Sequence, residues 1–341
     1  MTQFIKNKII AQRIVFVDGI AGSGKSILGP VLYSLQNMEK PKMEQVYEYL
    51  CILHHFKKIE SDAAVTLMRL YADLSLYNSL ISRDVNLRIF DVYGLLNLPY
   101  PLESVARLFR KDGNAIMETI KKNTPVLHII SHQMLPVIDL AFASYGERLR
   151  VIEMLRHPLY YIHHWSTYID RYGRDAREFT LWLDYKGNNV PWFAHGWEEK
   201  FLSSNMMDKI IFSIEQLING CEYALNRLGE KERNQIVLVP FELFVKTPWI
   251  FIEKIEDILG VKRTALTQKT LSKQKCPRSC ISAGLGHKAY GWRKPVKDLT
   301  DCKDYESRRK TVEAAASKEA LRVLDKLSSD YEKKYKIFDF R

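Results

Sequence analysis

The chain is poor in cysteine: five in 341 residues, an odd and sparse set. That excludes a disulfide framework of the kind that staples small secreted domains. Cys276 and Cys280 stand four apart, but no second Cys/His pair sits at zinc-site spacing, so no metal is expected. No apolar run approaches the roughly 18 residues of a membrane-crossing helix. The first residues, MTQFIKNKIIAQR, hold basic side chains but no apolar core and no small-residue cleavage site. These absences lead us to expect a cytoplasmic chain with no membrane partner. Internal repeats and low-complexity tracts are missing as well. Acidic charge is in deficit: 51 Lys and Arg face 40 Asp and Glu, a net charge of +11. Such a balance favours anionic partners in general, from nucleotides to nucleic acid or a membrane surface. The basic residues are spread along the chain and no nucleic-acid-reading motif is present, so no nucleic acid partner is expected.

What is there is a globular composition, 46% hydrophobic and 27% charged, with length enough for a large core. Short apolar, β-branched runs read as strands at 14–18, 87–94, 126–133, 149–158 and 234–242. Helical periodicity covers 26–36, 43–56 and 63–80, and a last helix spans 317–335. Strands alternating with helices predict an α/β fold, a parallel sheet flanked by helices. We expect a single domain over 1–341, with helical insertions at about 40–82 and 165–230. A stretch at about 264–302, richer in Gly, Pro, Ser and Lys, reads as a lid-like loop.

The most informative stretch is IVFVDGIAGSGKSILGPVL, residues 14–32. Gly19, four residues, then Gly24-Lys25-Ser26 satisfy the phosphate-loop pattern G-x-x-x-x-G-K-[ST]. Glycines let the backbone curl until several N–H groups face one anion, and the helix that follows adds its positive end. Lys25 supplies a mobile charge. Ser26 supplies a hydroxyl for a phosphate oxygen or a metal ion. A nucleoside triphosphate with Mg²⁺ would also ask for a carboxylate ending a second strand, and Asp91 is the candidate for that place.

Three later segments suggest a different phosphate compound. VLHIISHQMLP is a strand ending in Ser131-His132. LRVIEMLRHPLYYIHHWSTYIDR is a strand, Arg156-His157-Pro158, then an aromatic-rich helix. VLVPFELFVKTPWIFIEKIEDILG is a strand, a Glu, a Thr-Pro and an amphipathic helix ending at Gly260. With AGSGKS, in this order, they resemble the P-loop sulfotransferases over roughly 13–30, 126–166 and 236–292. The resemblance implies a P-loop fold and transfer of a sulfuryl group from 3′-phosphoadenosine-5′-phosphosulfate to a hydroxyl or amine of a carbohydrate or other small acceptor, without a metal. It implies that Gly22, Ser23, Gly24, Lys25 and Ser26 bind the 5′-phosphate, and that Lys25 and His132 are catalytic. His132 would take the acceptor's proton, a role its near-neutral pKa suits. Arg156 would grip the 3′-phosphate bidentately. His164 occupies the place of the family's helix serine, with Ser166 two residues on. Lys288 and Gly291 match its late basic loop. The chain departs from the family where Gly22 replaces a basic residue and the charge moves to Lys25. A P-loop kinase using ATP and Mg²⁺ is the alternative. For the acceptor, two stretches are open: Arg83, Asp84, Asn86 and Arg88, and the aromatic group Trp192, Phe193, His195 and Trp197, which a packed core explains equally.

Overall fold

The computed structural model describes residues 2–169, 175–176, 178–282 and 296–337. Its elements in chain order are β1 (Arg13–Asp18), α1 (Leu28–Tyr33), β2 (Lys42–Met43), α2 (Val46–His55), α3 (Ser61–Leu80), α4 (Pro101–Arg107), α5 (Asn114–Asn123), β3 (Val126–Ile130), α6 (Asp139–Tyr145), β4 (Leu149–Leu155) and α7 (Pro158–Ile169). There follow β5 (Trp182–Tyr185), β6 (Asn188–Pro191), α8 (Glu198–Ser203), α9 (Met206–Arg227), α10 (Glu230–Arg233), β7 (Ile236–Pro240), α11 (Phe241–Lys246), α12 (Pro248–Leu259), α13 (Ala265–Lys273), α14 (Asp301–Glu313) and α15 (Lys318–Tyr335).

Five strands form one sheet in the order β2-β3-β1-β4-β7, every pair parallel. Ile14 to Asp18 of β1 and all of β3 are buried, as a sheet covered on both faces requires. The α/β expectation is met. Helices α2, α3 and α6 pack on one another, α7, α9 and α15 form a second group, and α12 lies against β4 and β7. Their ends follow local chemistry. Asn205 caps α9, accepting from the Asp208 N–H, and Ser317 caps α15 in the same way. Pro248 opens α12, and Gly260 in the left-handed conformation (φ 58°) closes it.

Register puts the chemistry at one edge. Val17 pairs with Ile130, and Asp18 pairs with Glu153. The C-terminal ends of β1, β3 and β4 therefore deliver Gly19, Ser131 and Arg156 to the same rim of the sheet.

Three expectations are corrected. Residues 87–94 are not a strand: they form an irregular loop whose apolar side chains face water, Phe90 being 99% exposed. β-branched composition misled there, since no neighbouring strand is available to pair it. The edge strand is β2 instead, too short to be read from its sequence. The stretch 165–230 is not purely helical, because β5 and β6 form an antiparallel hairpin. Within 264–302, residues 265–273 are helix, started by Thr264 and Thr267 in a reciprocal capping box.

Candidate functional site

The chain leaves β1 at Asp18 and turns sharply. Gly19, Gly22 and Gly24 have φ of 144°, 88° and 98°. A Cβ at Gly19 would stand 2.4 Å from the Met154 carbonyl oxygen, and one at Gly24 would stand 2.4 Å from the Phe241 ring. Both glycines are therefore demanded twice, by conformation and by contact. A short turn of helix over Lys25–Ile27 continues into α1. The Ile27 N–H bonds to the Gly24 carbonyl (3.1 Å), whereas the N–H groups of Lys25 and Ser26 at its start have no acceptor within the turn. Ser26 is exposed at that point, while Ser23 is buried and its Oγ has no protein partner.

The Lys25 side chain does not project outward. Its ammonium, 5% exposed, donates to the carbonyls of Gly19 (2.6 Å) and Ile20 (3.4 Å). Burial lowers its pKa, and Asp18, Glu153 and Glu48 oppose that shift. Beneath the loop, Asp18 accepts from Ser131 Oγ (3.0 Å) and from the N–H groups of Met134 (2.9 Å) and Leu135 (2.8 Å). The buried Glu153 carboxyl beside it is held well above the usual carboxylate range by burial and by Asp18.

Three residues of the β4–α7 corner grip the loop. Arg156 Nη1 donates to the Gly22 carbonyl (2.7 Å), and its guanidinium lies over the Phe241 ring at 4.5 Å. Trp165 Nε1 donates to the Ala21 carbonyl (2.9 Å). His164 packs on Gly22, where an added Cβ would stand 2.9 Å from the imidazole's own Cβ. Burial pulls the Arg156 pKa down to about 10, and Arg156 Nε is buried without a protein partner. The corner itself is built by Glu242, which accepts from the His157 N–H (3.1 Å) and from the Tyr331 hydroxyl (2.6 Å). The fully buried His157 ring packs edge-on to Tyr160, Tyr305 and Tyr331. Ser166 is on the same helix, but its hydroxyl bonds back to the Ile162 carbonyl (2.8 Å).

His132 lies two residues past the end of β3, the strand next to β1. Glu48 of α2 accepts from its backbone N–H (2.7 Å) through Oε1, and the same oxygen lies 3.2 Å from Nδ1. Burial and the Lys25 ammonium push the His132 pKa down to about 3, so the imidazole is neutral at ordinary pH. Burial and Asp18 push Glu48 up to about 8. The His132 side chain is still 30% exposed, so one edge of the ring meets solvent.

The structure thus brings Gly22, Ser23, Gly24, Lys25, Ser26, Arg156 and His164 together, with His132 at the neighbouring strand end. Lys288 and Gly291 lie outside the described residues. Asp91 does not end a strand; its Oδ1 accepts from the Tyr93 N–H (3.0 Å) and shapes its own loop. Among the described residues no cluster of three metal-ligating side chains occurs. Trp192 and Phe193 are core, Phe193 meeting Trp165 edge-on at 5.5 Å. Asp84 pairs with Lys42, and Asn86 accepts from the Arg88 N–H (3.0 Å), so this group holds a loop. Sequence reasoning missed Glu48 and Glu153, and noted Glu242 only as the Glu that follows a strand, with no role given to it. One signal marks all three: each is a lone carboxylate inside an apolar run, VYEYL, VIEML and PFELF.

No family model matches the chain, and no curated protein matches it. The solved structures that it resembles include sulfotransferases. One is the sulfotransferase domain of an olefin synthase from Synechococcus PCC 7002, at 12% identity and a TM-score of 0.43, over 97% of this chain and 98% of that one. Another is a sulfotransferase domain from the curacin biosynthetic pathway, at 12% identity and a TM-score of 0.41, over 93% and 97%. A sulfotransferase from Mycobacterium avium aligns at 10% identity and a TM-score of 0.42, over 98% and 79%.

Proposed function

We propose that the chain is a sulfotransferase that moves a sulfuryl group from 3′-phosphoadenosine-5′-phosphosulfate to a hydroxyl or amine of a carbohydrate or other small acceptor. The observation that carries this reading is the bond from Arg156 to the Gly22 carbonyl. It sets a guanidinium against the glycine-rich loop, so that two groups suited to anions share one rim. A donor with separate 5′ and 3′ phosphates needs two such features. The residues fit it: exposed Ser26 and the first helical N–H groups suit the 5′-phosphate, and the unpartnered Arg156 Nε suits the 3′-phosphate.

The bound donor supplies an activated sulfuryl group whose leaving oxygen belongs to a phosphate. The acceptor oxygen or nitrogen forms the new bond to sulfur as the bond from sulfur to the phosphate oxygen breaks. His132 receives the acceptor's proton on Nε2. Glu48, when ionised, holds the proton of Nδ1 and leaves Nε2 free to accept. Lys25 supplies its charge from beneath the loop, close to where negative charge builds on the leaving group.

Calorimetry with adenosine 3′,5′-bisphosphate and with ATP, each with and without Mg²⁺, tests this. The expected result is metal-independent binding of the bisphosphate, weakened about tenfold to a hundredfold by Arg156→Ala. Binding of ATP alone, and only with Mg²⁺, would replace the reading with a kinase.

A further inference from the structure

The loop at 86–97 is built inside out. Its polar groups are spent on itself: Leu95 N–H donates to the Asn86 carbonyl (2.8 Å), and Asn97 Nδ2 donates to the carbonyls of Ile89 (3.0 Å) and Asp91 (2.7 Å). Its large apolar side chains face water instead. Leu87 is 73% exposed, Ile89 64%, Phe90 99% and Leu96 64%. The flanks of α4 continue the surface with Leu102 (81%) and Phe109 (84%). Apolar side chains gathered at this density mark a surface that is covered in use. One side chain turns the other way: Tyr93 is buried, its ring against Gly29 of α1. The apolar surface is thereby anchored within a turn of Ser26.

Charge decides what covers it. Of the segment's two acids, Glu103 pairs with Arg107 (2.7 Å), and the half-buried Asp91 accepts from the Tyr93 N–H (3.0 Å); at its borders Asp84 pairs with Lys42 and Asp112 faces Arg83 (4.0 Å). Arg88, Arg110 and Lys111 are exposed among the apolar side chains. Cations stand between protruding apolar tips at 87–90 and 108–111, so a surface both apolar and anionic answers the two features together. That is the pattern of an interfacial inserter, with tips below the headgroups and cations among anionic phosphates. We propose that residues 86–111 dock this protein onto the surface of an anionic lipid bilayer. The chain lies on the membrane by this surface. Among the described residues no helix is long and apolar enough to cross one.

Sedimentation of the full chain with vesicles tests the proposal. Vesicles of phosphatidylcholine mixed with phosphatidylglycerol are expected to carry the protein down, and vesicles of phosphatidylcholine alone to carry much less. Ile89→Asp with Phe90→Asp should weaken binding at least about tenfold. Arg88→Gln with Arg110→Gln should weaken it several-fold on the anionic vesicles only. These positions are exposed, and an unchanged melting temperature shows that the variants fold. Failure to sediment with either vesicle would overturn the proposal. So would a concentration-dependent dimer in light scattering that Phe90→Asp abolishes, since a second copy would then be the occupant. Neither outcome depends on sulfuryl transfer, so the proposal stands or falls apart from that reading.

Discussion

Glu48 and His132 carry opposite displacements for one reason. Both are taken out of water, which disfavours the charge on each: the acid rises to about 8 and the imidazole falls to about 3. Folded Glu48 keeps its proton to higher pH than the unfolded chain does. Its contribution to stability is therefore greatest at acid pH and is lost as pH rises from about 4.5 through 8. Folded His132 stays neutral, so its contribution is present above about 6.5 and is lost as pH falls toward 3. Glu48→Gln removes the first slope and keeps the second. Its melting temperature should gain on the wild type between pH 6 and 8, within the window just named. The same substitution tests the proposed chemistry. The wild-type rate should climb as Glu48 ionises near pH 8, because only the carboxylate demands the Nδ1–H tautomer. In Glu48→Gln the amide oxygen accepts in either case, and that limb of the pH–rate profile should disappear. A limb that persists in the variant would remove Glu48 from the mechanism.

The glycine-rich loop after β1 is an element held from outside. Its spelling predicts the curl, but the carbonyls of Ala21 and Gly22 are anchored by Trp165 and Arg156 of the β4–α7 corner. Trp165→Phe keeps an aromatic ring but deletes the donor and part of the buried indole, leaving the Ala21 carbonyl unpaired. A loss of about 1–3 kcal/mol in denaturant unfolding is expected, with nucleotide affinity falling as the loop loosens. Gly24→Ala meets both a positive φ and the Phe241 ring, and should cost about 1–3 kcal/mol in the same measurement. Wild-type stability in either variant would mean that the loop is not fastened as described. The elements around it were unevenly legible. Strands β1, β3, β4 and β7 are near-continuous apolar runs, a pattern that only a doubly covered sheet accommodates. The run at 87–94 has a similar composition and no sheet edge to join, which no local pattern reveals.

At the scale of the whole molecule, a buried acidic cluster underlies the rim. Asp18 and Glu153 are neighbours across β1 and β4, both fully buried, and Lys25 is the cation that faces them. Glu153 is held protonated, so its contribution to stability is present at low pH and lost as pH rises toward its folded pKa. Glu153→Gln mimics the protonated acid. Its melting temperature should exceed that of the wild type by a margin that widens from about pH 4.5 upward. A margin that narrows would mean that Glu153 is ionised and paired with Lys25. The net charge of +11 acts at the same scale: it draws anions toward the whole surface, and salt screens that attraction.

The sequence by itself determined the parallel sheet, the glycine-rich turn after its first strand, the Arg156 corner and the place of His132 in the chain. Each is written in a contiguous run, in the periodicity of apolar residues or in glycines that a tight turn requires. Only the tertiary structure decided which of them meet. His132 and Glu48 are 84 residues apart, and Arg156 is 134 residues from Gly22. Such contacts depend on strand order and register, which place distant segments side by side. The fate of Lys25, turned under the loop, was likewise decided by the Gly19 and Ile20 carbonyls it meets and by carboxylates on β1, β4 and α2. A side chain's direction is set by what surrounds it after folding, and that information is spread over the whole chain.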